Sequence, residues 1–126
     1  MRVAGLAPDQ LRLVEVDERF ALRPDALAAA MEDDLGRGLV PFLVVATVGT
    51  TSSMAIDPVP AIGALCQRHG VWLHVDAAMA GSAAVVPELR FVNAGLELAD
   101  SWCFDPHKWL FTNFDCDVLY VADPSS

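Results

Sequence analysis

The chain has 126 residues, the size of one domain, with 8 basic and 17 acidic residues and a formal net charge of −9. Hydrophobic residues make up 54 % and charged residues 20 %, which excludes a disordered chain. The acidic balance argues against nucleic acid or an anionic membrane surface as a partner. No apolar run approaches the roughly 20 residues that a membrane span needs. The first residues lack the apolar stretch of a signal peptide, so we expect a cytoplasmic protein.

The numbers of cysteines and lysines limit the kinds of site and reaction that the chain can support. Cys66, Cys103 and Cys116 are widely spaced, their number is odd and no C-x-x-C pair occurs. We therefore expect reduced, buried thiols and neither a disulfide framework nor a zinc site. Lys108 is the only lysine in the chain, so any reaction at a lysine side chain must use it.

The first half of the chain predicts a strand, a helix and a second strand. Residues 11–17 are rich in Leu and Val and predict the first strand. Pro24 and Asp25 predict a helix start, because proline is tolerated in a first turn and aspartate suits a helix N-terminus. The apolar face of this helix consists of Leu27, Met31 and Leu35. Residues 42–46 are continuously apolar, which is typical of a central strand buried on both faces.

The second half continues the alternation. A helix is predicted from Asp57 to Gly70, followed by strands over residues 71–75, 101–104 and 118–121. Strands separated by helices imply right-handed crossovers and a mostly parallel sheet with flanking helices, which is an α/β fold. Ligands of such sheets bind beyond the carboxyl ends of the strands.

Three polar clusters follow predicted strands, and they are Thr50-Thr51, Asp76 and residues 105–108. Asp76 ends an apolar strand, so its carboxylate either pairs with a ligand cation such as a pyridinium nitrogen or caps a helix. Lys108 lies among aromatic residues. It is therefore either a desolvated amine nucleophile or an ordinary lysine whose stem covers apolar surface.

The histidines and the remaining acids favour no metal site. His74 lies within an apolar strand and is predicted to be a hydrogen-bonded core residue. Together with Asp76 it offers only two ligands, too few for a metal. His107 adjoins Lys108, where it would donate to an anionic group or support the lysine. Residues 32–34 are consecutive acids, interpreted as the solvated face and end of a helix and not as paired catalytic acids.

Three ordered motifs resemble those of group II pyridoxal-phosphate (PLP) decarboxylases. Residues 104–109 (FDPHKW) resemble the lysine motif, residues 74–78 (HVDAA) the aspartate motif and residues 47–51 (TVGTT) the threonine loop. The resemblance covers nearly the whole chain. It implies a fold-type I (aspartate aminotransferase-like) large domain, PLP as cofactor, and decarboxylation of an amino acid, with an aromatic L-amino acid as substrate.

The resemblance also implies roles for individual residues. The implied cofactor-binding residues are Thr51, Asp76, Ala78, Asp105, His107 and Lys108. Lys108 would form the aldimine with PLP, and Asp76 would pair with the pyridine nitrogen and keep the ring an electron sink. Ala78 would pack beneath the ring, and Thr51 would lie near its phenolic oxygen. Asp105 and His107 would lie near the phosphate. The family often has Asn at position 105, so the Asp105 carboxylate is expected to be protonated or turned away from the phosphate.

Relatives in this family are much longer, so residues 1–126 are interpreted as a partial PLP-binding large domain. The parts without a counterpart are the N-terminal segment, the phosphate loop, the lid and the C-terminal small domain. The full-length family implies a homodimer. Two alternatives stay open. One is aldehyde-forming chemistry on the same scaffold, and the other is a non-catalytic remnant or a split-enzyme half that needs a partner chain.

Overall fold

The structure, a computed structural model, describes residue 3 and residues 5–125. Its helices and strands, in chain order, are α1 (Pro24–Gly36), β1 (Leu43–Thr47), α2 (Val59–His69), β2 (Trp72–Asp76), β3 (Ser101–Phe104), α3 (Pro106–Trp109) and β4 (Val118–Val121). Short 3-10 turns cover Pro8–Gln10, Gly81–Val85, Pro87–Asn93 and Leu96–Leu98. Among the described residues, no helix has the length and apolarity that a membrane crossing requires.

One sheet with the order β1-β2-β3-β4 organises the molecule. The first three strands are parallel, and β4 pairs antiparallel with β3. This confirms the predicted mostly parallel α/β sheet. Thr47 of β1 lies opposite Asp76 of β2, and Asp76 lies opposite Cys103 of β3. The carboxyl ends of the parallel strands are therefore side by side at one edge.

The core lies between one face of this sheet and the helices. Leu73 and Val75 of β2 and Ile62 of α2 are fully buried there. Helix α2 ends at Gly70, whose φ of 65° is the left-handed conformation that glycine adopts without strain. The predicted helices α1 and α2 are thus confirmed. Leu27 and Met31 of the predicted apolar face of α1 are buried, whereas Leu35 is 45 % exposed, so the prediction is wrong for this residue.

The other sheet face is open in the described residues. Leu43 and Val45 of β1 and Leu119 and Val121 of β4 are 40–62 % exposed. The expectation that β1 is buried on both faces is therefore wrong, since its residues alternate between exposed and buried. The physical reason is that α1 and α2 pack on one side only, so alternate side chains meet solvent.

The predicted first strand over residues 11–17 is also wrong. This segment makes only an isolated bridge between Val16 and Leu22, and Leu13 is 85 % exposed. Apolar content indicated a strand, but no neighbouring strand pairs with it. Arg12 instead forms ion pairs with Asp33 and Asp34 of α1. Glu32 and Asp33 are exposed, as predicted for a solvated helix face, but the side chain of Asp34 is only 18 % exposed.

The cysteines are free thiols, as expected, but only Cys66 is buried. Cys103 and Cys116 are partly exposed, so the expectation of three buried thiols is wrong for these two. Burial raises the pKa of the Cys66 thiol to about 11. Cys103 lies at the sheet edge described next, where it has charged neighbours.

Candidate active site

Backbone hydrogen bonds join the three strand ends into one rigid edge. The amide of Val48 donates to the carbonyl of Asp76 at 2.8 Å, and the amide of Ala77 donates to the carbonyl of Cys103 at 3.0 Å. The amide of Asp105 donates to the carbonyl of Ala78 at 3.3 Å. The segment that follows Asp76 is thus fixed against the segment that leads to Lys108.

Lys108 is held by Asp105 at this edge. Its Nζ lies 2.6 Å from Oδ2 of Asp105, and the two side chains are 30 % and 13 % exposed. Asp105 directly precedes α3, and Pro106 is the first residue of that helix, a position that proline favours. The Asp105 carboxylate therefore faces the lysine, and its orientation relative to a bound phosphate stays a prediction.

His107 lies between Asp105 and the chain that follows the helix. Its Nδ1 is 3.1 Å from the backbone nitrogen and 2.9 Å from the backbone oxygen of Cys116. Its Nε2 is 4.0 Å from Oδ2 of Asp105. The ring also packs edge-on against Phe114, with centroids 4.8 Å apart. Contacts on both sides fix the orientation of this partly buried imidazole.

Asp76 presents a carboxylate with one oxygen anchored and one open. Oδ1 accepts a hydrogen bond from the amide of Ala78 at 3.1 Å and one from the thiol of Cys103 at 3.9 Å. In the described part of the chain, no hydrogen bond to Oδ2 is found. No helix begins directly after Asp76, so the helix N-cap considered from the sequence is not formed. Oδ1 of Asp76 accepts the amide of Ala78 instead. Burial, and then the negative charge of Asp76, raise the pKa of the Cys103 thiol.

The loop after β1 carries Thr51, which is exposed. Gly49 anchors the loop with a φ of 79°, and a Cβ added there would lie 2.4 Å from Cβ of Ala80. The Oγ1 of Thr50 lies 2.6 Å from Oγ of Ser53 and accepts the amide of Ala55 at 3.0 Å. This loop therefore packs on the segment after Asp76. Among the described residues, no hydrogen bond joins Thr51 to another predicted site residue.

Sequence reasoning missed a polar cluster next to Asp76. His74 Nδ1 lies 2.8 Å from Oγ of Ser101, which also accepts the indole N–H of Trp72 at 2.9 Å. His74 Nε2 lies 3.9 Å from Sγ of Cys103. The hydrogen bond of His74 is confirmed, but the prediction of a core residue is wrong, because His74 is only partly buried and alternates along β2 with the buried Leu73 and Val75. Its partners follow from the register between β2 and β3, which no local motif reveals.

The chain matches the pyridoxal-dependent decarboxylase conserved domain over residues 2–126. It is 50 % identical over 124 residues to the aromatic-L-amino-acid decarboxylase of Drosophila lebanonensis, covering 98 % of this chain and 31 % of that protein. It is 47 % identical over 127 residues to phenylacetaldehyde synthase of Arabidopsis thaliana, covering 99 % and 26 %. A crystal structure of Oryza sativa TDC with PLP and tryptamine superimposes with a TM-score of 0.93 and 48 % identity, covering 97 % of this chain and 25 % of that one.

The match to this domain and the likeness to a structure solved with PLP identify the chain as part of a PLP-binding α/β protein. Within that class, the chain belongs to the pyridoxal-dependent decarboxylase family, whose members are PLP-dependent enzymes. It spans about a quarter to a third of the length of the relatives just described.

The residues present fit PLP chemically. Lys108 offers a primary amine for the cofactor aldehyde, and Oδ2 of Asp76 is open to accept a proton donor. Ala78 has a methyl side chain that leaves room for a flat ring close to the backbone. The three lie on segments that the bond from Asp105 to Ala78 ties together.

Proposed function

We propose that this protein is the PLP-binding segment of a carboxy-lyase that decarboxylates an amino acid, with an aromatic L-amino acid as substrate. Residues 1–126 are then part of a large domain. The observation that carries the proposal is the convergence of Lys108 and Asp76 at one sheet edge, tied by the hydrogen bond from Asp105 to Ala78 at 3.3 Å. The aromatic substrate is supported by 50 % identity to an aromatic-L-amino-acid decarboxylase.

Lys108, Asp105 and Asp76 have different roles in the proposed reaction. Lys108 would hold the cofactor through Nζ, and Oδ2 of Asp105, 2.6 Å away, would accept the proton that the ammonium must lose. Oδ2 of Asp76 would accept a hydrogen bond from the protonated ring nitrogen, while Ala78 and Cys103 donate to Oδ1. When bound, PLP supplies a cationic ring that accepts the electron pair left as the substrate carboxylate departs as CO2.

The other predicted residues have positioning roles in this proposal. His107, fixed by Cys116 and Phe114, would donate from Nε2 to an anionic group of the cofactor. Thr51 would approach the ring on the loop that Gly49 anchors. The cytoplasmic location and the homodimer of full-length relatives stay predictions.

Two alternatives to this function remain. The 47 % identity to a phenylacetaldehyde synthase favours an aldehyde product on the same scaffold. The chain spans 26–31 % of the length of these two relatives, and a split-enzyme half or a remnant that needs a partner chain stays the second alternative. Both alternatives keep Lys108 as the residue that bonds to PLP.

Reductive trapping tests the proposal. The protein is mixed with PLP, reduced with borohydride and mapped by mass spectrometry, with Lys108→Arg as a control that retains the positive charge. We expect a pyridoxyl adduct on Lys108 in the wild type and only background labelling of the N-terminal amine in the variant. Equal labelling of Lys108 and the N-terminal amine would overturn the cofactor site.

Product analysis then separates the activities. Incubation of the PLP-loaded protein with L-tryptophan, L-tyrosine or L-phenylalanine should release CO2 and the corresponding amine, both measured by mass spectrometry. An aldehyde in place of the amine would support the alternative chemistry. A selective adduct on Lys108 without any turnover would support the split-enzyme half, and the assay would then be repeated with a chain that supplies the rest of the family domain.

A further inference from the structure

We propose that Trp72, Ser101, His74 and Cys103 form a one-directional hydrogen-bond chain that positions the carboxylate of Asp76. In this chain His74 is a positioning residue, because it acts on Asp76 only through the thiol of Cys103. The proton positions in this chain follow from contacts within the protein alone. The effect of Asp76 on cofactor binding rests on the proposed function.

The two ends of the chain set its direction. The indole N–H of Trp72 can only donate, so Oγ of Ser101 accepts it at 2.9 Å. At the other end the ionised carboxylate of Asp76 can only accept, so the thiol of Cys103 donates to its Oδ1 at 3.9 Å. The two ends of the chain are therefore a group that can only donate and a group that can only accept. The three groups between them, Ser101, His74 and Cys103, can each donate and accept a hydrogen bond.

Counting protons between these ends assigns the tautomer of His74. Ser101 is 7 % exposed, and its single proton is directed to Nδ1 of His74, 2.8 Å away. Nδ1 then accepts, and the proton of the neutral ring lies on Nε2. Nε2 is 3.9 Å from Sγ of Cys103, which accepts it and uses its own proton for Asp76. Ser101, His74 and Cys103 each donate once and accept once in this chain, so none of their protons is left without an acceptor.

The chain acts on one oxygen of Asp76. The thiol of Cys103 and the amide of Ala78 both donate to Oδ1, which orients the carboxylate so that Oδ2 points away from both donors. Burial and the neighbouring carboxylate keep the thiol of Cys103 in its protonated, donating form. Loss of this donor would leave the carboxylate with one anchor and more rotational freedom.

Nitrogen NMR of histidine tests the chain without cofactor. The protein is labelled with ¹⁵N-histidine, and the His74 signals are assigned by their loss in His74→Gln. We expect Nδ1 to have the chemical shift of an unprotonated ring nitrogen and Nε2 that of a protonated one. Ser101→Ala should raise the population with a proton on Nδ1, and Ser101→Thr, which keeps the hydroxyl, should restore the wild-type signals. A proton on Nδ1 in the wild type, or no change in Ser101→Ala, would overturn the chain.

Titration with PLP tests the action on Asp76. Cys103→Ala should weaken PLP binding, followed by cofactor absorbance, roughly three- to tenfold, the effect of losing one ordinary hydrogen bond. Cys103→Ser keeps a donor and should bind PLP within about twofold of the wild type. Unchanged binding by Cys103→Ala would overturn the positioning role. If the wild type binds no PLP, the proposed function fails, and the NMR result still decides the hydrogen-bond chain.

Discussion

The Nζ of Lys108 lies 2.6 Å from Oδ2 of Asp105, three residues earlier in the chain. This ion pair uses the same amine that the proposed function assigns to the cofactor. The amine must leave the carboxylate before it can bond to an aldehyde. Asp105 is thus a competitor for Lys108 as well as the acceptor of its proton.

Asp105→Asn is expected to strengthen PLP capture. The amide keeps the shape of the side chain and a hydrogen-bond acceptor but removes the charge that holds the ammonium, and a partly exposed ion pair stabilises by up to about 1 kcal/mol. PLP affinity should therefore rise by up to roughly fivefold, measured by absorbance titration and by the yield of reduced adduct on Lys108. Asp115→Asn, at an exposed acid near His107, is the matched control. Weaker capture by Asp105→Asn would contradict competition and favour a direct contact between Asp105 and the cofactor.

Asp57 is expected to be a principal contributor to stability. Its carboxylate is 8 % exposed and accepts the amide of Leu22 through Oδ1 and the amide of Thr47 through Oδ2, each at 2.7 Å. Since hydrogen bonds to a buried charge contribute about 1.5–3 kcal/mol each, Asp57→Ala should lower the free energy of unfolding in urea by about 3–5 kcal/mol.

The exposed Asp17 provides the control for Asp57. Its Oδ1 also accepts two backbone amides, those of Arg19 and Ala21, at 2.8 and 2.9 Å. Water can replace these bonds, so Asp17→Ala should lower the free energy of unfolding by less than about 1 kcal/mol. Equal losses for Asp17→Ala and Asp57→Ala would show that burial does not determine the effect.

The Cys66 thiol is expected to make the free energy of unfolding decrease as pH rises in the alkaline range. Burial raises the pKa of its thiol from 9.0 to about 11, so between these values the unfolded chain loses a proton that the folded chain keeps. Stability from this thiol is present below pH 9 and is lost as pH rises toward 11. The urea midpoint should therefore fall less steeply over this range in Cys66→Ala than in the wild type. Cys116→Ala is the control and should keep the wild-type slope.

Alanine substitutions at two helical glycines should change the free energy of unfolding in opposite directions. A Cβ at Gly63 in α2 would lie 2.6 Å from Cβ of Leu98, so Gly63→Ala should lower the free energy of unfolding by about 1–3 kcal/mol. Gly36, the last residue of α1, has no atom within 4 Å of an added Cβ. Gly36→Ala should raise the free energy of unfolding by up to about 1 kcal/mol through better helix propensity. Thermal unfolding followed by circular dichroism checks both variants.

The sequence predicted α1, α2, the four strands of the sheet and the edge at which the polar motifs meet, because each depends on local periodicity and on the geometry of parallel strands. It did not predict α3, whose four residues are too few to show a periodic pattern. It failed for residues 11–17, where apolar content does not tell a paired strand from an exposed segment. It also overestimated the burial of β1, since whether Val45 is covered depends on what packs on the second sheet face. The contacts of His74 with Ser101 and Cys103 depend on strand register, which the motifs do not encode.

The segment that carries Lys108 begins and ends on two strands that are hydrogen-bonded to each other. Phe104 pairs with Val118 and Ser101 with Val121, so residues 105–117 form a closed connection. Phe111 lies in it, 92 % exposed with a φ of 55°, which makes this point accessible to a protease. A cut there would leave both new ends attached to the same sheet through the β3–β4 ladder, with Lys108 still on the β3 side. Lys108 and its ion-pair partner Asp105 would thus stay on the same fragment, directly after β3.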